Sequence, residues 1–297
     1  MKKNKRNEVR LVNSNAVLRF EEELRREEKT GSTIDKYKRD VRHLESWLSG
    51  RPVTKELMIQ YKAFLLEDSK SLNSINSYIV SANKFLVVMG WGDLKVRVYK
   101  IQQETAQPEE KQLTVREYKR LLMAAKRLVN ELLYLILEVL ASTGMRISEL
   151  RFLTAEAVRE GVIVVNNKGK IRRILLTARM QEQLNRYMRM RGIATGVIFT
   201  DRSGKAVSRV RIWREMKKLC DAAGVDERKV YPHNLRKLFA TELYDSTKDI
   251  ARVAEVLGHS SVETTRRYIL PNYKTRRIEL ERLGLVGEGF ERIETYS

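Results

Sequence analysis

The chain has 297 residues, 42% of them hydrophobic and 32% charged, a length that fits about two domains with sizeable cores and a composition that excludes a disordered chain. Lysine and arginine number 58 against 38 acidic residues, a formal net charge of +20, which points to a polyanionic partner, nucleic acid ahead of an anionic membrane surface. The single cysteine, Cys220, excludes an intrachain disulfide and a cysteine-based zinc finger, and three histidines (His43, His233, His259) leave little material for a transition-metal site. No run approaches about 18 apolar residues, so no transmembrane helix is expected. No apolar segment follows the basic start Met1–Arg6, so no secretory signal is expected either, and the cytoplasm is the default compartment.

The N-terminal part reads as helices. Val17, Phe20 and Leu24 recur at helical spacing after Asn15. Gly31-Ser32-Thr33 breaks and recaps the chain, and Tyr37, Val41, Leu44 and Leu48 continue the stripe. Pro52 and Thr54 start a third helix through Leu57, Tyr61, Phe64 and Leu65. A fourth, Leu72 to Val88, runs through Ile75, Ile79, Asn83 and Leu86. Together they predict a compact four-helix domain over residues 1–101.

Residues 102–112 are polar around Pro108 and read as an interdomain linker. Residues 1–112 hold 22 Lys/Arg and 16 Asp/Glu, and the remainder holds 36 and 22. Both parts are basic, which suits a grip on one polyanion from two sides.

The second part, residues 113–284, opens with a capping box, Thr114 followed by Glu117. Helices are predicted at about 115–127 and 129–142. Val162 to Val165 and Ile171 to Leu176 are β-rich runs joined by a lysine-bearing turn, a predicted hairpin. A helix follows, then a short strand over Val197–Thr200, and everything after Ser208 reads as helical. The fold class is therefore mainly α: an N-terminal helical domain, then a mixed α+β domain with a small antiparallel sheet. Residues 285–297 form an acidic, amphipathic tail.

Four segments carry chemistry. The first is Thr143-Gly144-Met145-Arg146-Ile147-Ser148-Glu149-Leu150, where Gly144 ends an apolar helix and Arg146 opens the next turn. The second is the hairpin tip with Lys168 and Lys170. The third is Pro232-His233-Asn234-Leu235-Arg236, whose His and Arg share one helix face behind a helix-starting proline. The fourth is Leu257-Gly258-His259-Ser260-Ser261, followed by Tyr268. Each has an ordinary structural reading alone. Their order, Arg, Lys, His-x-x-Arg, Gly-His, Tyr, resembles the tyrosine recombinase (phage-type integrase, Xer-like) family over about residues 112–272.

The resemblance implies breakage and rejoining of DNA through a covalent 3′-phosphotyrosine, with neither metal nor nucleotide cofactor. It implies Tyr268 as nucleophile, His233 as general acid/base, His259 as donor to a non-bridging oxygen and Lys168 as general acid for the leaving 5′ oxygen. Lys170 is a rival for Lys168 and Tyr273 a rival for Tyr268. Glu149 matches the acidic residue that orients the family's active-site arginine and histidine. The chemistry of the side chains agrees: two guanidiniums, Arg146 and Arg236, suit the extra charge of a pentacoordinate phosphorus. No carboxylate cluster for Mg²⁺ and no Walker loop is evident in the sequence.

Two positions depart from the commoner pattern, Asn234 and Lys237 standing where Asp and a second His are usual. The N-terminal helices fit the family's core-binding (SAM-like) domain. The additional arm-binding domain of larger integrases is not expected. The expected partner is double-stranded DNA at specific sites, bound by a homotetramer in the synaptic complex. The free chain is expected as a monomer, an accessory DNA-bending protein as a further partner, and integration, excision, inversion or resolution as the outcome. Candidate DNA contacts are Lys36, Lys38, Arg39, Asn73, Asn76 and Ser77 in the first part, and Arg202, Lys205, Ser208, Arg209 and Arg211 in the second. By resemblance, the tail packs onto a neighbouring subunit. The alternatives are a non-catalytic DNA-binding protein and a type IB topoisomerase-like enzyme.

Overall fold

The computed structural model describes residues 9–68, 71–101, 112–167, 170–201 and 203–285. Two compact units divide between Gln103 and Glu104.

The first unit contains α1 (Ser14–Arg26), α2 (Gly31–Leu48), α3 (Lys55–Glu67) and α4 (Leu72–Val88). Side-chain caps set three of the starts: Asn13 accepts from Ala16 N–H, Thr54 from Leu57 N–H and Ser71 from Ser74 N–H. The first helix therefore begins at Ser14, capped by Asn13, rather than after Asn15. The break before α2 lies at Glu28, whose φ is 55°, and Gly31 is already helical. Phe20, Leu24, Val41, Leu44, Met58, Tyr61, Ile79 and Phe85 form a fully buried core. Their helical spacing puts them on inward faces, which is why the four stripes are legible in the sequence.

Beyond α4 the chain is pinned to the helix by two asparagines. Asn83 exchanges two hydrogen bonds with the backbone of Val96 (2.8 and 3.0 Å). Asn76 does the same with Tyr99 (2.7 and 2.8 Å). A side-chain amide offers the donor and acceptor of a peptide group, so each asparagine stands in for a strand partner.

The second unit runs α5 (Val115–Arg127), α6 (Glu131–Thr143), a 3₁₀ turn (Ile147–Phe152), α7 (Ala155–Glu160), β1 (Val162–Asn167), β2 (Lys170–Leu175), α8 (Ala178–Arg191), α9 (Arg209–Ala223), α10 (Pro232–Thr247), α11 (Ile250–Leu257), α12 (Val262–Arg266) and α13 (Tyr273–Glu281). The capping box at Thr114 and Glu117 is formed in full. Helix α6 starts two residues later than expected, because Val129 takes a left-handed φ of 53° and Asn130 caps. The hairpin is antiparallel and pairs Val165 with Arg172 and Asn167 with Lys170.

The strand expected over Val197–Thr200 is not formed. Val197 bridges Thr154 and Thr200 bridges Ala206, each singly. With one isolated bridge at each end of the segment, no run of consecutive pairs forms. The main core joins α5–α9, the hairpin and the start of α10. A smaller cluster holds Ala240, Val253 and Leu257 with Phe239, Leu243, Tyr244 and Tyr268 against it.

Candidate active site

Gly144 ends α6 with φ 62°, a conformation that favours glycine. A Cβ there would lie 2.3 Å from Phe239 Cδ1, so the position also admits no larger residue. The chain then turns into the 3₁₀ segment, capped by Glu149. This carboxylate is 2% exposed and is held on three sides. Its Oε1 accepts from Arg146 Nη1 (2.9 Å), and its Oε2 accepts from Arg146 N–H (2.7 Å) and Arg172 Nη2 (2.6 Å). Three donors, two of them cationic, offset the cost of burying the charge. The Arg146 side chain stays 40% exposed and keeps its remaining donors toward solvent.

Arg172, on β2, carries no signal in the sequence beyond being one of two arginines in a basic strand. The structure gives it three contacts in the site. It pairs with Glu149, donates to the Val256 carbonyl (3.0 Å) and lays its stem against Gly258. A Cβ on Gly258 would come within 2.5 Å of Arg172 Cδ, and Gly258 has φ 65°. Both facts explain the glycine before His259. Burial lowers the Arg172 pKa first, while Glu149 opposes that shift.

Helix α10 starts at Pro232 and sets His233 and Arg236 one turn apart. Arg236 is 1% exposed. Its Nη1 donates to Gly144 O (2.5 Å), and its Nη2 donates to Leu257 O (2.7 Å) and lies 2.9 Å from His259 Nε2. Its Nε is buried with no partner. Burial, then repulsion from Arg146, brings its pKa down to about 10, so it remains a cation at neutral pH. Asn234 is buried and donates to the Lys229 carbonyl (2.7 Å), a structural task at the helix start.

His259 follows Gly258 and is bound at both ring nitrogens, Nε2 to Arg236 and Nδ1 to Thr265 Oγ1 (2.9 Å). Burial, then the arginines 236, 146 and 172, pushes its pKa down to about 4. A guanidinium only donates, so Nε2 is the acceptor and the ring is neutral. The ring proton then lies on Nδ1, toward Thr265 Oγ1. His233 is exposed, and its pKa is also lowered, by desolvation and then by Arg236, Arg146 and Lys237.

Tyr268 follows α12, its N–H bonded to Thr265 O (2.8 Å). Its ring sits 5.1 Å from His233 and 5.1 Å from His259, stacked on the latter at 20°. Arg146, Glu149, His233, Arg236, His259 and Tyr268 thus come together, joined by Arg172 and Thr265, which the sequence did not single out. Tyr273 begins α13, 57% exposed. Lys168 lies outside the described residues, as do Arg202 and residues 286–297 of the tail.

Of the candidate DNA contacts, Lys36 pairs with the buried Asp40 (2.8 Å) and bonds Ser81, while Lys38 pairs with Glu21. Arg39 and Asn73 are exposed, and the Ser77 carbonyl accepts from Ser81 Oγ. Both polar atoms of the Asn76 amide are occupied by Tyr99. Ser208 caps α9 by accepting from Arg211 N–H (3.2 Å), and Arg209 and Arg211 are exposed in its first turn. Ser208 and Arg209 line a cleft of about 430 Å³ with Glu149 and Arg151. Lys205 N–H donates to Asp201. Among the described residues no helix is long and apolar enough to cross a membrane.

This mostly helical frame, with its two-stranded sheet, is that of a tyrosine recombinase catalytic domain. The phage integrase family model matches residues 111–275, more than half of the chain, and the chain belongs to that family. It is an enzyme of site-specific DNA recombination. The tyrosine recombinase XerD of Pseudomonas aeruginosa is 29% identical over 258 residues, covering 80% of this chain and 86% of that protein. The crystal structure of XerA recombinase is 27% identical with a TM-score of 0.51, covering 92% of this chain and 99% of that one. The Tn1549 transposon integrase, solved in complex with circular intermediate DNA, shares the fold. Its TM-score is 0.70 at 18% identity, with 90% of this chain and 99% of that one covered.

Proposed function

We propose that this chain cleaves and rejoins double-stranded DNA with Tyr268 as the nucleophile. The observation that carries the reading is Arg236: a buried guanidinium with an unpartnered Nε, set among the two histidines that flank the Tyr268 ring. A buried donor without a partner costs free energy unless a ligand satisfies it, and a phosphate oxygen is the natural acceptor.

The Tyr268 hydroxyl attacks the scissile phosphorus, and a phosphotyrosyl ester forms at the 3′ end as the bond to the 5′ oxygen breaks. His233, whose pKa is lowered by desolvation of the ring and by neighbouring cations, takes the tyrosine proton. Arg146 and Arg236 hold the non-bridging oxygens as charge builds on phosphorus. Lys168 gives a proton to the leaving 5′ oxygen, with Lys170 the rival for that task. Rejoining is the reverse, and one ester replaces another of similar energy.

The surplus of +20 supports salt-sensitive binding along the DNA backbone. The first unit and the exposed first turn of α9, with Arg209 and Arg211, are the proposed contacts. Arg39, exposed although 3.6 Å from Asp40, and the exposed Asn73 are the candidates in the first unit. We assign the active form to a DNA-bound tetramer in the cytoplasm, with the tail engaged on a neighbouring subunit.

The test is a nicked suicide duplex carrying the recombination site, resolved on a denaturing gel. Wild type and Tyr273→Phe should give a slow-migrating covalent species that Tyr268→Phe does not. Salt-sensitive binding with no covalent species in any of the three would favour a DNA-binding protein without catalysis.

A further inference from the structure

Thr265 is fully buried between the two groups that matter most for attack. Its carbonyl accepts from Tyr268 N–H at 2.8 Å, and its hydroxyl oxygen lies 2.9 Å from His259 Nδ1. The opposite ring nitrogen, Nε2, lies 2.9 Å from Arg236 Nη2. These two contacts decide where the imidazole proton sits. Arginine has donors only, so Nε2 must present its lone pair. A neutral imidazole then carries its proton on Nδ1, and Thr265 Oγ1 receives it. The ring stacks on Tyr268 at 20°, and the backbone N–H of His259 donates to Ala254 O (2.9 Å), so both the ring plane and the residue's backbone are held.

We propose that Thr265 is a positioning residue that fixes His259 as the Nδ1–H tautomer, so that Nε2 holds the Arg236 guanidinium before DNA arrives. His259 is then part of the frame of the buried arginine in the free enzyme. Thr265 also anchors the backbone of the nucleophile, so one buried residue couples the arginine, the histidine and the tyrosine. The functional part of this inference rests on Tyr268 being the nucleophile; the tautomer does not.

Without the hydroxyl, the Nδ1–H is a buried donor with no acceptor. Moving the proton to Nε2 sets it against Arg236, donor against donor. Either outcome loosens the guanidinium. Thr265→Val keeps the branched shape and removes only the acceptor; Thr265→Ser restores it.

The test is ¹⁵N-histidine NMR of the full chain without DNA at neutral pH, the His259 signals being assigned by their loss in His259→Gln. Wild type and Thr265→Ser should show a protonated Nδ1 and an unprotonated Nε2. Thr265→Val should shift to a mixture, with His43 and His233 unchanged as controls of folding. On suicide DNA, covalent-complex formation by Thr265→Val should slow roughly 10- to 100-fold with unchanged DNA affinity, and Thr265→Ser should recover it. A wild-type spectrum with the proton on Nε2, or a Thr265→Val spectrum identical to wild type, overturns the proposal. Absence of covalent product from wild type would instead count against Tyr268 as nucleophile and leave the tautomer result standing.

Discussion

Glu149 and Arg172 are joined at 2.6 Å, a nearly buried carboxylate on the turn after α6 bound to an arginine on the hairpin. The same carboxylate holds Arg146, so one acidic side chain ties two elements of the site and is shared between two cations. Three guanidiniums and one carboxylate leave the site strongly positive, which suits a phosphodiester. Arg172→Ala should destabilise the second unit by about 2–3 kcal/mol, less than a fully stranded buried charge because Arg146 remains. Chemical denaturation of the full chain measures this. Arg172→Lys should recover part of it, since one ammonium cannot reach both Glu149 and the Val256 carbonyl.

Gly258 and Arg172 should be energetically coupled. Gly258→Ala meets a φ of 65° and a Cβ contact of 2.5 Å with the Arg172 stem, so a loss of about 2 kcal/mol is expected. In the Arg172→Ala background the contact is gone and only the backbone strain remains. A double-mutant cycle in thermal melts should therefore show the second substitution costing less than it does alone; strict additivity would mean the contact carries no energy.

Arg236→Lys should preserve the charge and lose the reaction. A lysine cannot satisfy the Gly144 and Leu257 carbonyls together while presenting a further donor. Covalent-complex formation should fall about 10²–10³-fold, with DNA affinity changed only slightly, because the rest of the basic surface still binds the backbone. Single-turnover kinetics beside a filter-binding curve separate the two effects.

Acid should weaken the fold through His259. Its pKa is about 4 in the folded chain, against about 6.5 in an unfolded one. The unfolded state thus binds more protons between these values, and stability falls as pH drops through that window. Full stability is present above about pH 6.5, and the contribution is gone near pH 4, a loss of order 2–3 kcal/mol. Denaturation midpoints from pH 7 to pH 4 should drop more steeply in wild type than in His259→Gln.

Asn76 and Asn73 separate structure from binding in the first unit. Asn76→Ala breaks both bonds to Tyr99 and should cost about 1–2 kcal/mol, with faster amide exchange near Tyr99. Asn73→Ala, on an exposed position of α4, should leave stability unchanged and lower DNA affinity in a filter-binding curve.

Much of this protein is legible in its sequence. The four stripes of the first unit, the Thr114 capping box, the hairpin and the helix start at Pro232 each follow from contacts within a few residues, where spacing alone decides the outcome. Arg146, Glu149, His233, Arg236, His259 and Tyr268 were legible as a set through local motifs and their order. The sequence by itself determined the elements and the inventory of reactive side chains. Only the tertiary structure decided the partnerships. Arg172 reaches Glu149 across 23 positions and His259 meets Arg236 across another 23, and nothing in a linear pattern states such pairings. The expected Val197–Thr200 strand is a further case, since its β-rich residues meet Thr154 and Ala206 in single bridges and no continuous partner strand lies alongside. Asn76, whose polarity suggests a ligand contact, is occupied by the chain's own backbone. Whether a polar side chain serves the fold or the substrate depends on which donors and acceptors fold against it, and that is settled by long-range packing.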